Sequence, residues 1–159
     1  MQPNEKLIRD FYTAFAQRDY RTMAAAYASD ATFMDPVFGE LHGARIGAMW
    51  RMLCERAADL RIESSAFTAN DTAGAAHWEA WYTFSATGRP VHNVIDAAFE
   101  FANGRISRHT DRFDLYAWSR QALGIKGVLL GWTPLVQGVV RKQAAAGLAA
   151  FIKKNGVAI

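Results

Sequence analysis

The sequence predicts an α+β domain in which three N-terminal helices precede an antiparallel sheet, with one extra helix at the C-terminus. Apolar residues recur at three- and four-residue spacing up to Ala57, as they do on amphipathic helices. Between Leu60 and Tyr116 they fall instead in strand-length segments separated by turns. Because 159 residues are the size of one domain, both parts belong to one α+β unit with the helices on one face of the sheet.

Two amphipathic segments open the chain. The first predicted helix carries an apolar face made by Leu7, Ile8, Phe11, Tyr12 and Phe15. Asp19 offers an N-cap oxygen to a second, short helix, which we expect to end near Ser29-Asp30. A short strand over 31–35 follows and stops at Pro36, and a loop through Gly39 and Gly43 leads to the next helix.

The third predicted helix begins at Ala44. Its single apolar face consists of Ile46, Met49, Trp50, Leu53, Cys54 and Ala57. Cys54 is therefore expected to be a small buried residue and not a reactive thiol.

Four strand-like segments follow this helix. They are Leu60 to Ala69, Ala73 to Thr87, Val91 to Ala102, and Arg105 to Tyr116. Asn103-Gly104 predicts a two-residue hairpin, since both residues tolerate positive φ. The other two connections are also short turns, so the four segments are expected to form an antiparallel meander.

The C-terminal region is predicted to contain one or two helical turns over 117–123, a loop with Gly127 and Gly131, and a long helix. Thr133 as N-cap and Pro134 in the first turn start that helix, and Asn155-Gly156 ends it. Its apolar stripe must be buried against the body of the domain, the opening of a ligand site or a second subunit.

Composition excludes several classes of protein. With one cysteine the chain cannot form an internal disulfide or a cysteine-based zinc site. The net charge of +3 is scattered, with no Lys/Arg run longer than two, so no nucleic-acid partner is expected. The longest weakly polar stretch, 127–140, falls short of the roughly 20 residues that span a bilayer, so no membrane partner is expected either. The polar start, 1–6, lacks the pattern of a secretory signal, which favours a reducing, cytoplasmic location.

Two segments resemble the nuclear transport factor 2-like superfamily, which includes ketosteroid isomerases, SnoaL-like polyketide cyclases and limonene epoxide hydrolases. They are Phe11 to Pro36, which contains the motif DATFMDP at 30–36, and Phe99 to Asp114, and the resemblance extends over roughly residues 5–116. It implies a cystatin-like cone, in which a curved sheet wraps around helices and encloses a deep apolar pocket, in a homodimer. Residues 1–118 would form this domain, and 119–159 a helical extension of it.

The resemblance also implies catalytic carboxylates. Asp35 stands where the isomerases keep a proton-shuttling base, although an aspartate before Pro36 also caps turns well. Asp96 lies in an apolar strand. Counted back from Gly104, it matches the protonated aspartate that donates to the substrate oxygen, whereas counting back from the aromatic residues 99–101 gives Ala97 instead. In the second case Asp96 would face the other side of the sheet, as a dimer-face or hydrogen-bonded residue.

His109 and Asp111 share one strand face because they are two residues apart. Asp111 matches an acid/base aspartate of the epoxide hydrolases, but the partner Arg-x-Asp pattern of that family is missing from the earlier strand. A His-Asp pair is compatible with a SnoaL-like cyclase, and His109 could equally be hydrogen-bonded without a chemical role. Phe11 replaces the oxyanion-hole tyrosine of the isomerases, so Tyr12 or Tyr27 would have to substitute for it.

The expected function is that of a cofactor-independent acid/base enzyme, an isomerase or polyketide cyclase, acting on a small hydrophobic carbonyl compound. The expected catalytic residues are Asp35, Asp96, His109 and Asp111. The expected substrate contacts are Phe11, Tyr12, Trp50, Tyr82 and Phe113. His77, His92 and His109 lie on three strands without short-range ligand spacing, so no metal is expected. The alternatives are a non-catalytic binding or dimerisation domain and an epoxide-hydrolase-like hydrolase.

Overall fold

The computed structural model describes the whole chain, Met1 to Ile159, as a curved six-stranded sheet with six helices. The helices are α1 (Pro3–Ala16), α2 (Tyr20–Ala25), α3 (Ala44–Arg56), α4 (Leu115–Ala122), α5 (Ile125–Leu130) and α6 (Pro134–Asn155). The strands are β1 (Tyr27–Asp35), β2 (Gly39–His42), β3 (Arg61–Ala69), β4 (Ala73–Phe84), β5 (Arg89–Ala102) and β6 (Arg105–Arg112). The predicted α+β class is confirmed. None of the six helices has the length and apolar character needed to cross a bilayer.

The strand order in the sheet is β2-β1-β6-β5-β4-β3. Strands β3 to β6 form the predicted antiparallel meander, and Asn103 and Gly104 adopt the positive φ that its last hairpin requires. Strand β1 joins the meander by pairing parallel to β6, an arrangement that the sequence did not predict. The predicted loop through Gly39 is wrong in part, because β2 starts there and returns antiparallel along β1.

The main hydrophobic core lies between the inner face of the sheet and helices α1 and α3. Strand β5 shows the alternation most clearly, with Ile95, Ala97, Phe99 and Phe101 buried and the residues between them exposed. Helix α3 contributes Trp50 and other fully buried side chains from the predicted apolar face. Cys54 is buried among them, as predicted.

The predicted helix caps are present in the structure. The carboxylate of Asp19 accepts the backbone N–H of Thr22 at 3.1 Å, and the hydroxyl of Thr133 accepts that of Val136 at 3.3 Å. Gly156 ends α6 in the left-handed conformation. The predicted end of the second helix near Ser29-Asp30 is too late, because β1 already begins at Tyr27.

The C-terminal region packs against the body of the domain. Leu148, Phe151 and Ile152 of α6 join the main core, while Val140 joins a second cluster with Trp118 of α4. The predicted loop around Gly127 is in fact helix α5. A side chain at Gly127 could not be accommodated, since its Cβ would lie 1.9 Å from the backbone oxygen of Ser119. Gly127 therefore does not mark a loop, and its missing side chain allows α4 and α5 to pack closely.

Candidate active site

A cavity of about 410 Å³ opens between the inner face of the sheet and helices α3, α4 and α6. Its volume lies within the range of small-molecule sites. Of its 29 lining residues, 21 are hydrophobic, which favours an apolar ligand. The aromatic part of the wall includes Phe33, Trp50, Trp78, Tyr82, Phe113 and Trp118.

Two carboxylates, Asp35 and Asp111, border this cavity. Asp35 ends β1, and its Oδ1 accepts the backbone N–H groups of Val37 at 2.9 Å and Phe38 at 2.5 Å. Asp35 therefore caps the turn after β1, as predicted, and also borders the cavity. Its other oxygen, Oδ2, makes no hydrogen bond within the chain and is free to meet a ligand.

The environment of Asp35 makes its carboxylate easier to protonate than an ordinary aspartate. Burial raises the pKa of Asp35 from 3.8 to about 6, the N–H of Phe38 opposes this rise, and the negative charge of Asp111 adds to it. A carboxylate with this pKa is mostly ionised near neutral pH and still accepts a proton readily. That combination suits a group that both removes and returns protons.

A buried hydrogen-bond chain leads away from Asp111. The Nε2 of His109 lies 2.9 Å from Asp111 Oδ1, and its Nδ1 lies 2.7 Å from the hydroxyl of Tyr27. Trp50 donates its indole N–H to that hydroxyl at 3.0 Å, and Trp78 donates to Asp111 Oδ1 at 3.2 Å. All donors are matched if Tyr27 donates to a neutral His109 that in turn donates to an Asp111 carboxylate.

His109 is fully buried and does not border the cavity. It is enclosed by the rings of Phe11, Phe33 and Phe99, with centroid distances of 5.8, 5.1 and 4.3 Å. His109 therefore corresponds to the predicted alternative of a hydrogen-bonded histidine. Its only link to the cavity is the hydrogen bond to Asp111.

Tyr82 presents a hydroxyl at the cavity wall. Its oxygen accepts the indole N–H of Trp118 at 2.7 Å, and its own O–H hydrogen has no acceptor within the chain. Burial raises the pKa of Tyr82, the Trp118 hydrogen bond lowers it, and the charge of Asp35 raises it again. The Tyr82 hydroxyl therefore stays protonated, and its free hydrogen can be donated to a negative oxygen on a bound ligand.

From the sequence, Tyr82 is predicted only as a substrate contact. The hydroxyl that replaces the missing tyrosine at position 11 is predicted on Tyr12 or Tyr27, and neither of these residues borders the cavity. The signal that could have found Tyr82 is the parity of β4, because residues 78, 80 and 82 share the inner face.

The predicted substrate contacts divide into two groups. Trp50, Tyr82 and Phe113 border the cavity. Phe11 and Tyr12 lie behind its wall in the core, so the prediction that they touch a ligand is not supported by their position. The Tyr12 hydroxyl is buried without a hydrogen-bond partner.

The prediction that Asp96 acts in the cavity is corrected by the structure. Asp96 lies on the outer face of β5, its side chain is 81% exposed, and its Oδ1 is 2.8 Å from Nδ1 of His77. Ala97 is the inward-facing residue, as the count from the aromatic residues indicated. His77 and His92 also lie on the outer part of the sheet, bonded to Asp96 and Glu79, so they do not meet His109.

Comparison with known proteins identifies the domain to which most of the chain corresponds. The profile of the SnoaL-like domain family matches residues 8–109. No curated protein matches the sequence significantly.

Three solved structures illustrate the similarity in fold. An NTF2-like protein of unknown function from Burkholderia pseudomallei is 23% identical with a TM-score of 0.66, covering 77% of this chain and 98% of that chain. An LEH-like epoxide hydrolase from Mycobacterium tuberculosis is 22% identical with a TM-score of 0.60, covering 84% and 95%. A candidate polyketide cyclase from Xanthomonas campestris pv. campestris is 24% identical with a TM-score of 0.62, covering 76% and 96%.

Proposed function

Since the chain belongs to the SnoaL-like domain family, we propose that it is a cofactor-independent enzyme that transfers a proton at the carbon next to a carbonyl group. Its substrate would be a small hydrophobic carbonyl compound. One observation carries the proposal: Asp35, with a pKa of about 6, borders the same aromatic cavity as the free hydroxyl hydrogen of Tyr82. Base and donor are the two groups that enolate formation requires.

The proton transfer begins at Asp35. Its free Oδ2 takes the proton from the α-carbon, the C–H electrons form a carbon–carbon double bond, and the carbonyl oxygen becomes negative. Tyr82 donates its O–H to that oxygen. Asp111 assists because its charge makes protonation of Asp35 more favourable.

Two outcomes follow from the enolate. In an isomerisation, the protonated Asp35 returns its proton to another carbon of the same conjugated system. In a ring closure, the enolate carbon attacks a second carbonyl of the same molecule, and Asp35 delivers its proton to the oxygen formed there. Each outcome restores the Asp35 carboxylate, so neither needs an oxidant, a reductant or a second substrate.

Exchange of α-hydrogens tests the first step without knowledge of the natural substrate. We expect the protein to accelerate deuterium incorporation into 2-tetralone, an apolar bicyclic ketone, in heavy water followed by NMR. Asp35→Asn is expected to lower the enzymatic rate by about 10²- to 10⁴-fold, because the base is removed. Tyr82→Phe is expected to lower it by about 10- to 10³-fold through loss of one donor to the oxygen.

Asp96→Asn is the matched control, since it changes a carboxylate of the same sheet that faces outward. Its exchange rate should equal that of the unmodified protein. If 2-tetralone and related ketones bind but exchange no faster with the unmodified protein than with Asp35→Asn, the enzyme proposal fails. The cavity would then serve binding alone.

A further inference from the structure

Exposed apolar side chains are concentrated around helix α5 and the start of α6. Ile125 is 77% exposed, Leu129 63%, Trp132 64% and Leu135 78%, and Val139 is exposed as well. We call these five residues the α5–α6 apolar surface. Val128 and Leu130 of α5 are exposed too, whereas outside 125–139 the large exposed apolar residues are single ones, at the termini or on separate strands. A concentration of this kind on a folded domain is typical of a binding surface.

Helical spacing groups these side chains. Ile125 and Leu129 are one turn apart on α5, and Leu135 and Val139 are one turn apart on α6. Trp132 lies between the two helices, and its indole N–H donates to the backbone oxygen of Leu129 at 3.1 Å. The indole is therefore held in place while about two thirds of it remains exposed.

The charge of the chain is divided at Asp114. All fifteen Asp and Glu residues lie within 1–114, together with twelve of the eighteen Lys and Arg residues. Residues 115–159 contain the other six basic residues and no acidic side chain. The α5–α6 apolar surface thus belongs to a segment of charge +6 on a body of charge −3, and exposed Lys126 and Lys142 lie close to it in sequence.

We propose that the α5–α6 apolar surface docks onto an anionic lipid membrane. Aliphatic side chains and an indole, accompanied by lysines, are the combination that inserts into the interfacial region of a bilayer while the cations meet lipid headgroups. A second copy of the chain is a poorer occupant, because a symmetric contact would bring two basic segments together. The expectation of no membrane partner rested on spanning length, which a surface contact does not require.

Docking in this way would place the cavity close to the membrane, where apolar compounds are concentrated. Helix α6 carries Leu135 and Val139 of the docking surface, and the same helix contributes Val140, the neighbour of Val139, and Ala144 to the cavity wall. The proposal does not depend on the chemistry assigned to Asp35, since its test measures binding to vesicles and not turnover.

Vesicle binding with a fluorescence readout tests the proposal. The full chain is mixed with vesicles of phosphatidylcholine containing about 30 mol % phosphatidylglycerol, and both sedimentation and tryptophan emission are followed. We expect cosedimentation and a blue shift of the emission, because Trp132 is exposed whereas the other four tryptophans are buried or half-buried. In Trp132→Phe the blue shift should disappear while cosedimentation is largely retained.

Two paired variants separate the apolar and the ionic contributions. Leu129→Ser with Leu135→Ser should weaken vesicle binding by about tenfold or more. Lys126→Gln with Lys142→Gln should weaken it by roughly 5- to 30-fold, and about 0.5 M salt should do the same to the unmodified protein. Val94→Ser with Arg108→Gln removes an exposed apolar and a basic residue from the sheet and should leave binding unchanged.

Three results would overturn the proposal. The first is an absence of binding to anionic vesicles, and the second is equal binding to vesicles of pure phosphatidylcholine. The third is self-association in analytical ultracentrifugation that the Leu129 and Leu135 changes abolish, because a second copy would then be the occupant of the surface.

Discussion

At the scale of single residues, Asp35 shows how a buried carboxylate can lower the stability of the folded protein. Its pKa in the folded protein, about 6, lies above the ordinary 3.8, so the folded state binds the proton more tightly than the unfolded chain. The free energy of unfolding therefore falls as pH rises from about 4 to about 6 and stays low above that. The full effect corresponds to roughly 3 kcal/mol for this change in pKa.

Asp35→Asn should consequently be more stable than the unmodified protein at pH 8, by about 1 to 3 kcal/mol. The difference should shrink toward about pH 4, where Asp35 is protonated in the folded state. Urea unfolding at several pH values measures it, with Asp30→Asn as a control for the same substitution at an exposed position. Equal stability of Asp35→Asn and the unmodified protein at pH 8 would contradict the argument.

The hydroxyl of Tyr27 links Trp50 and His109 in the buried hydrogen-bond network. Tyr27→Phe leaves the Trp50 indole N–H and Nδ1 of His109 without partners in the core. We expect a loss of about 2 to 4 kcal/mol in the free energy of unfolding. Tyr116→Phe removes a more exposed hydrogen bond to the backbone of Val128 and should cost less than about 1 kcal/mol in the same denaturant titration.

The sequence predicted part of this network. Their two-residue spacing predicts that His109 and Asp111 share one strand face, and in the structure the two side chains are hydrogen-bonded to each other. Tyr27 lies 82 positions before His109, and local patterns do not reveal which distant side chain meets a given one. The contact depends on the parallel pairing of β1 with β6, which joins the chain's beginning to the end of the meander.

At the scale of helices and strands, the alternation of side chains along β5 decides which face of the sheet Asp96 occupies. Asp96 shares its parity with the exposed Glu100, while Ala97 shares that of the buried Phe99 and Phe101. Counting back from the aromatic residues 99–101 follows this alternation and gives the inward-facing Ala97. Counting back from Gly104 gives Asp96, which faces outward. Helix α5 differs from the prediction for another reason, because Gly127 is typical of a loop in sequence but lies inside a helix in the structure.

Gly127 and Gly138 provide a matched test of that point. Gly127→Ala should destabilise the protein by about 2 kcal/mol or more, because the new Cβ collides with the Ser119 backbone oxygen. Gly138→Ala, in α6 with nothing within 4 Å, should instead stabilise it by up to about 1 kcal/mol. Thermal unfolding of both variants gives the comparison, and a neutral Gly127→Ala would show that α4 and α5 can move apart without cost.

At the scale of the whole molecule, α6 belongs to the same cooperative unit as the sheet. Leu148→Ala removes a buried side chain from the main core and should lower the free energy of unfolding by about 2 to 5 kcal/mol. A single transition should still be seen by far-UV circular dichroism and by tryptophan fluorescence. Leu135→Ala, at an exposed position of the same helix, should change stability by less than about 0.5 kcal/mol. Separate transitions for the two probes would indicate that α6 unfolds by itself.

The wall of the cavity has two origins along the chain. Residues 8–109 match the family profile and include Asp35 and Tyr82, whereas Ala144 and Gly147 of α6 border the same cavity from beyond that range. Larger side chains at these two positions would narrow the space without touching the base or the donor. Under the proposed function, relatives that keep Asp35 and Tyr82 but differ in the C-terminal helix are expected to accept compounds of different size, and α6 would be the place to redesign substrate range.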